Sequence, residues 1–337
     1  MSARRGVLAG GNWLVDKLKI IDRYPQQDAL CSILGESVGN GGSPFNLLVD
    51  LARLGAGFPL AGVGLTGDDA EGRWVREVCA RHGIDASRLA VCRDAPTSYT
   101  DVMTVRGSGR RTFFHQRGAN AFLDVEHFDF ADGNAKIFHL GYLLLLDRLD
   151  RPDTESGTAA ARVLERAVRA GCRTSVDVVS EDSERFASVV LPALRWVDYC
   201  FLNEFEAERT TGVAIRRGEG IEAAAVEEAA RRLLAAGVRE WVVIHHPDGA
   251  CALGRDGRPH WQGSVLLPQE RIAGTTGAGD AFAAGVLYGL HEDEPIEGAL
   301  RYGVCAAAAC LGETSCSDGV RPLAQCLELG RTHGFRG

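Results

Sequence analysis

No stretch of this 337-residue chain is apolar for long enough to cross a bilayer; the longest such runs are residues 142–146 and 304–311. The opening residues, Met1 to Gly6, lead into too short an apolar segment for a secretory signal. No CxxC pair occurs among the ten cysteines, which are scattered from Cys31 to Cys326. A disulfide framework is therefore not expected, and reduced, mostly buried thiols point to the cytoplasm. Positive charge is not in excess: 37 Lys and Arg face 45 Asp and Glu, a net charge of −8. Without a basic stripe there is nothing to neutralise a phosphate backbone. Neither nucleic acid nor membrane is an expected partner. Walker A, HExxH and GxSxG patterns are all missing, so the chemistries they carry have no support. The adjacent His245 and His246 have no third ligand spaced nearby, which argues against a metal site there.

What is present describes a globular enzyme-sized chain. Apolar residues make up 45% and charged residues 24%, which rules out wholesale disorder. A chain of this length buries roughly three quarters of its unfolded surface and needs no staple. No repeat or low-complexity linker divides it, so residues 1–337 read as one domain. Its 41 glycines punctuate short apolar runs. Strands are expected over 6–11, 59–63, 137–140, 174–179, 199–202 and 241–244. Helices are expected over 46–54, 69–82, 156–170, 221–236, 278–290 and 295–311. Residues 18–21 and 29–38 read as partly polar strands outside the main sheet. Short apolar strands alternating with helices imply an α/β fold, a doubly wound, mostly parallel sheet with helices on both faces.

Three clusters can carry chemistry. Gly274-Thr-Thr-Gly-Ala-Gly-Asp-Ala-Phe282 runs into an apolar helix. Gly277 and Gly279 let the backbone turn and expose N–H groups, and the helix adds its positive end, which makes a pocket for a phosphoryl group. Asp280 falls in the first helical turn, where a carboxylate is held as the anion. Beside an anion pocket it makes sense as the acceptor of a hydroxyl proton while that oxygen attacks phosphorus. A glycine turn with a capping Asp is the simpler reading of the same residues. The second cluster, Gly39-Asn-Gly-Gly-Ser-Pro-Phe-Asn46, lets backbone approach a ligand at Gly41 and Gly42. Asn46 both donates and accepts hydrogen bonds, which suits a sugar hydroxyl, though an ordinary helix cap would also use it. The third, Asn203-Glu-Phe-Glu206, follows a strand, at the end of a parallel sheet where ligands bind. Glu206 is suited to hydrated Mg²⁺ and Asn203 to a phosphate oxygen, or both simply cap a helix.

In this order the clusters resemble the ribokinase-like carbohydrate kinases, the phosphofructokinase B family. The resemblance spans nearly the whole chain. It begins at residues 10–16 and continues through 41–46, 51–55, 63–72, 111–113 and 118–120 to 203–206 and 275–282. It implies ATP- and Mg²⁺-dependent phosphorylation of a monosaccharide or sugar-like alcohol. It adds a small β-sheet lid, with strands within 13–40 and 97–118, whose pairing between subunits would make a homodimer. Asp280 would be the catalytic base, and Gly277, Ala278 and Gly279 the anion hole. Asp16, Gly42 and Asn46 would bind substrate hydroxyls. Asn203 and Thr275 would meet ATP phosphates and Glu206 would hold hydrated Mg²⁺.

The chain departs from the family pattern at two places. Gly274 stands where the family usually has an Asp that helps hold a monovalent cation. The family's Thr-x-Gly-x-x-Gly turn is replaced by Ile244-His-His-Pro-Asp-Gly249, where only Gly249 matches. These departures motivate a second reading, a ligand-binding or regulatory homologue with weak or lost kinase activity. A third reading, an NAD-dependent oxidoreductase, rests on Gly62-Val-Gly-Leu-Thr-Gly67. The Asp68-Asp69 that follows opposes it, because it puts negative charge where a pyrophosphate would sit. The resemblance assigns those glycines to a structural turn. Arg110, Arg111 and Arg117 form a basic patch among Phe113, Phe114 and His115. Arg117 is a candidate to reach an anionic or polyhydroxyl substrate, pointing toward an acidic or phosphorylated sugar; a surface hairpin turning at 107–109 explains the patch equally. Adenine is expected near the 295–311 helix.

Overall fold

The computed structural model describes residues 4–131, 133–218 and 220–337. Nine strands form the main sheet, in the spatial order Pro259–Gly263, Gly249–Gly254, Trp241–His246, Tyr199–Asn203, Arg173–Val178, Ile137–Leu143, Val7–Gly11, Leu60–Gly67 and Asp85–Cys92. Neighbours are parallel except for the two antiparallel pairs at the 259 edge. Parallel neighbours need crossovers, which here include Ala70–Arg81, Ala159–Arg169, Phe186–Ala193 and Ala223–Ala235. Successive strand residues feed opposite faces. Ala9 and Val243 join a core with Phe45, Leu48 and Phe282, whereas Leu8, Val242 and Ile244 join another with Leu164, Val190 and Leu233.

The helix Ala278–His291 is buried almost throughout and packs against Ser43–Leu54 and Ile296–Cys310. Asp69 caps Ala70–Arg81 by accepting the Gly72 amide at 2.8 Å. Among the described residues no helix is long and apolar enough to cross a membrane. All ten cysteines are free, and all but Cys31 and Cys92 are buried.

A second sheet of four strands, Ile33–Gly41, Leu14–Ile21, Ser98–Val105 and Arg111–Gln116, stands over the carboxyl end of the main one. Large apolar side chains of this sheet are open to solvent: Ile20, Ile33, Leu34, Val38, Phe113 and Phe114 are exposed. The face toward the cavity carries Asp16 and Thr100, both buried.

Residues 62–67 are not a turn, which corrects the expectation for that motif. They lie inside the strand Leu60–Gly67. Gly62 and Gly64 are glycines because Trp13 presses on them; a Cβ there would meet its ring at 2.4 and 2.3 Å. The Trp13 indole donates to the Val63 carbonyl at 3.0 Å and stacks on Phe45. No phosphate loop exists at this point. The strands Asp85–Cys92 and Pro259–Gly263 and the helices Phe186–Ala193 and Leu323–His333 extend beyond the sequence expectation. The two strands are sheet edges, partly exposed and partly polar, so they lack the apolar run that marks an inner strand.

Candidate active site

The Gly274–Phe282 segment reaches the cavity as a loop ending at Gly277, whose φ of 77° starts the helix Ala278–His291. That conformation suits glycine, and a Cβ would also meet the Cys316 carbonyl at 2.3 Å. The amides of Gly279 and Asp280 then stand in a first turn with no helical carbonyl to bond, which creates an anion-accepting end.

Asp280 is buried directly behind this loop. Its Oδ2 accepts the Asn46 side-chain amide at 2.8 Å, and the Tyr142 hydroxyl lies 2.8 Å from both carboxylate oxygens. Burial first, and then the charge of Asp177, pushes its pKa up to about 7, against the lowering by Asn46 and Tyr142. This corrects the expectation that the helix end alone keeps Asp280 ionised: loss of solvent outweighs the dipole.

Asp16, from the small sheet, is likewise raised to about 7 by burial and accepts the Cys316 thiol at 3.2 Å. Asn40 bridges Asn46 and Ser317 at 2.7 and 2.9 Å, which orients Asn46. Asp16, Gly42, Asn46, Thr275, Gly277, Gly279, Asp280, Asn203 and Glu206 all line one cavity of about 580 Å³.

Asn203 and Glu206 form the capping box of the helix Glu204–Thr211. The Asn203 amide donates to Glu206 Oε2 at 2.9 Å, and Ser180 donates to Oε1 at 2.7 Å. Burial pushes Glu206 up to about 8, with Asp177 adding to the rise. Thus the cap and the cavity wall are the same residues. Asp177 Oδ1 is buried with no hydrogen-bond partner among the described residues. A buried Glu206 beside a carboxylate with an unused oxygen fits a hydrated Mg²⁺, which keeps several waters and takes one or two carboxylates.

A second cavity of about 450 Å³ adjoins the first through Asn203, His245, Thr275 and Gly279. Ala278 and Gly249 line this one, beside Val304, Ala307, Ala308 and Leu311 of the helix Ile296–Cys310 and its end. His245 sits between the cavities with its ring 5.2 Å from Phe282. Burial pulls it down to about 4, so it is neutral. His246 lines the second cavity and meets Trp261 edge-on.

Arg117 does not line either cavity; it pairs with Asp147 at 3.1 Å. The basic residue of that hairpin that does is Arg111, at the other end of the strand Arg111–Gln116. Tyr142, Asp177 and Cys316 also line the cavity and were not singled out from sequence. Tyr142 and Asp177 end parallel strands, a position that itself is a usable signal. Nothing local marks Cys316, which meets Asp16 across 300 residues. A buried proton acceptor beside free loop amides, under a wall of hydroxyl-binding side chains, can deprotonate an alcohol next to an incoming phosphate.

The pfkB family carbohydrate kinase pattern matches residues 19–322 of this chain. The 5-dehydro-2-deoxygluconokinase of Geobacillus kaustophilus (strain HTA426) is 27% identical over 310 residues, covering 87% of this chain and 85% of that protein. Fructokinase-1 of Oryza sativa subsp. japonica is 27% identical over 297 residues, 84% of each. Ribokinase from Thermotoga maritima superposes with a TM-score of 0.79 at 19% identity, covering 97% of this chain and 99% of its own. Arabidopsis thaliana ribokinase, solved with ribose and ATP, gives 0.78 at 22% identity, covering 97% and 98%. The shared fold and a family match across most of the sequence lead to one conclusion: the chain belongs to the pfkB family of carbohydrate kinases.

Proposed function

We propose that this sugar kinase transfers the γ-phosphoryl group of ATP to a hydroxyl of a monosaccharide or sugar-like alcohol, with Asp280 as the base. The observation that carries this reading is the Asp280 carboxylate, buried behind the 277–279 loop in the cavity that Asp16 and Asn46 also line. Asp16, Gly42 and Asn46 orient the sugar. Amides of the loop at Gly277, Ala278 and Gly279 receive the phosphoryl group, with Thr275 and Asn203 beside its path. Glu206 and Asp177 would hold a hydrated Mg²⁺, which supplies positive charge to the β- and γ-phosphates. Catalysis then rests on positioning and charge stabilisation, with proton removal by Asp280.

The apolar second cavity suits the adenine, its wall formed by Val304, Ala307, Ala308 and Leu311. Gly249, the one residue of the family turn that is kept, lines this cavity with His245 and His246, which stand where the rest of that turn is altered. Gly274 offers no side-chain oxygen, so activation by a monovalent cation is not part of this reading. The exposed apolar side chains of the small sheet and its open edge strand Ile33–Gly41 support a homodimer formed through it.

The relatives named as acting on 5-dehydro-2-deoxygluconate and fructose, and the ribokinase solved with ribose, define the substrate panel. The measurement is ATP-dependent phosphorylation of those sugars. Asp280→Asn should lower kcat on the best substrate by about 10²- to 10⁴-fold. Full turnover by that variant would refute the assigned base.

A further inference from the structure

We propose that His245 is a catalytic residue of the transfer, an imidazole N–H donated to the departing ADP where the two cavities meet. This rests on the kinase reading above and adds to it a side chain for the leaving group.

His245 is the penultimate residue of the strand Trp241–His246. Its backbone pairs with Asn203 on one side and Ala250 on the other, so the sheet fixes its position. Side chains alternate along a strand. Val243 joins the core that holds Phe282, whereas Ile244 joins the opposite one. The ring of His245 therefore points at the helix Ala278–His291. There it lies 5.2 Å from the Phe282 ring, centroid to centroid. A Cβ built on Gly279 would meet its Cε1 at 3.3 Å and its Nε2 at 3.6 Å. The Nε2 edge of the ring is thus laid against the helical turn that would receive the phosphoryl group.

Asn203, His245, Thr275 and Gly279 are the described residues that line both cavities. A nucleotide with its base in the second cavity and its γ-phosphoryl group at the 277–279 loop must pass its β-phosphate between them. The Asn203 side chain is spent on its helix cap and on Ser180. The Thr275 hydroxyl accepts from Arg111, and Gly279 has no side chain. Among the described residues nothing hydrogen-bonds to the His245 ring, in contrast to His246, whose Nδ1 accepts the Asp248 amide at 3.3 Å. An enclosed ring nitrogen without a partner is costly, and an oxygen of a bound phosphate would satisfy it. Burial first, and then His246, pulls His245 down to about 4, so the ring works as a neutral donor with one N–H.

The step balances as follows. The acceptor O–H gives its proton to Asp280. Its oxygen forms a bond to the γ-phosphorus as the bond from that phosphorus to the β,γ-bridging oxygen breaks. ADP leaves with that electron pair, and the new charge spreads over the β-phosphate oxygens. His245 keeps its proton throughout, and Asp280 later releases the one it took to water. Because charge on the β-phosphate grows as the bridge opens, the His245 hydrogen bond is stronger in the transition state than in bound ATP.

The test uses the full chain as wild type, His245→Leu, His245→Gln and His245→Asn. Leucine fills the space beside Phe282 without a donor. Glutamine brings an amide N–H close to where Nε2 stands, and asparagine falls short of it. His245→Leu should lose about 10²-fold in kcat, with the KM for sugar nearly unchanged. Its calorimetric affinity for the magnesium complex of a methylene-bridged ATP analogue should match that of wild type. His245→Gln should recover about tenfold of the lost turnover and His245→Asn none of it. In nitrogen NMR at neutral pH the wild-type His245 ring should be neutral, and its N–H signal should move when sugar, Mg·ADP and aluminium fluoride are added. If melting curves show that the leucine variant does not fold, the other pair decides, and equal kcat in glutamine and asparagine variants would overturn the inference. Wild-type kcat in a folded His245→Leu would overturn it outright. Retained kcat with weakened binding of the ATP analogue would overturn it in favour of a contact made equally in the ground state. An imidazolium in the aluminium fluoride complex would also overturn it. A wild type that binds no Mg·ATP would instead bring down the kinase reading itself.

Discussion

At the scale of single residues, the site is defined by carboxyl groups held where water is scarce. Asp280, raised to about 7, and Glu206, raised to about 8, are both pushed up chiefly by burial. A group whose folded pKa exceeds its unfolded value stabilises the fold while protonated and loses that contribution as pH climbs through the folded value. For Asp280 the window runs from about 4 to about 7. Asp280→Asn, which mimics the protonated acid, should therefore be more stable than wild type at pH 8, by an amount on the order of a few kcal/mol in unfolding titrations. The gap should narrow as pH is lowered to 5. A pH-independent gap would mean that Asp280 does not titrate in this range. The same shift sets the acid limb of kcat/KM for the best substrate near pH 7, because the base must be free of its proton to act. A limb well below that value would refute the raised pKa.

Elements explain why these residues could be read from sequence with two meanings. Asn203 and Glu206 cap Glu204–Thr211 with the reciprocal bonds of a capping box and also face the cavity. Spacing alone matched both readings, since a helix that starts at the end of a parallel strand points its N-terminus at the ligand. The two roles separate by mutation. Glu206→Gln keeps one acceptor oxygen for the cap, so its melting temperature should stay near that of wild type. Its Mg²⁺ requirement should rise about 10- to 100-fold in a metal titration of activity. A lower melting temperature with unchanged Mg²⁺ dependence would leave only the cap. The Gly274–Phe282 loop was legible for the opposite reason: turn, anion end and acid are consecutive, so no distant chain was needed to assemble them. Residues 62–67 misled because a glycine pattern reports conformational freedom or close approach alike, and here Trp13 supplies the approach.

For the whole molecule, the small sheet is the part with unfinished business. Ile20, Tyr24, Leu30, Ile33, Leu34, Val38, Phe113 and Phe114 account for most of the large apolar side chains left exposed. The edge strand Ile33–Gly41 contributes three of them, Ile33, Leu34 and Val38. A second copy of the sheet is the surface best matched to cover such an edge. Sedimentation should report a dimer, and Val38→Asp should shift it to monomer, because a charge would then be buried in the seam. A wild-type monomer at micromolar concentration would remove the dimer from the proposed function.

The amino-acid order by itself determined the α/β class, the position of most inner strands and helices, and the three clusters that meet at the cavity. Those features are local: periodicity, caps and glycine turns act over a few residues. The tertiary structure alone decided the partnerships. It set Tyr142 on Asp280 and Cys316 on Asp16, paired Arg117 away with Asp147, and placed Arg111 on the Thr275 and Thr276 hydroxyls. It also decided protonation, since a carboxyl group's pKa follows from how much water and which charges surround it once distant segments have closed over it.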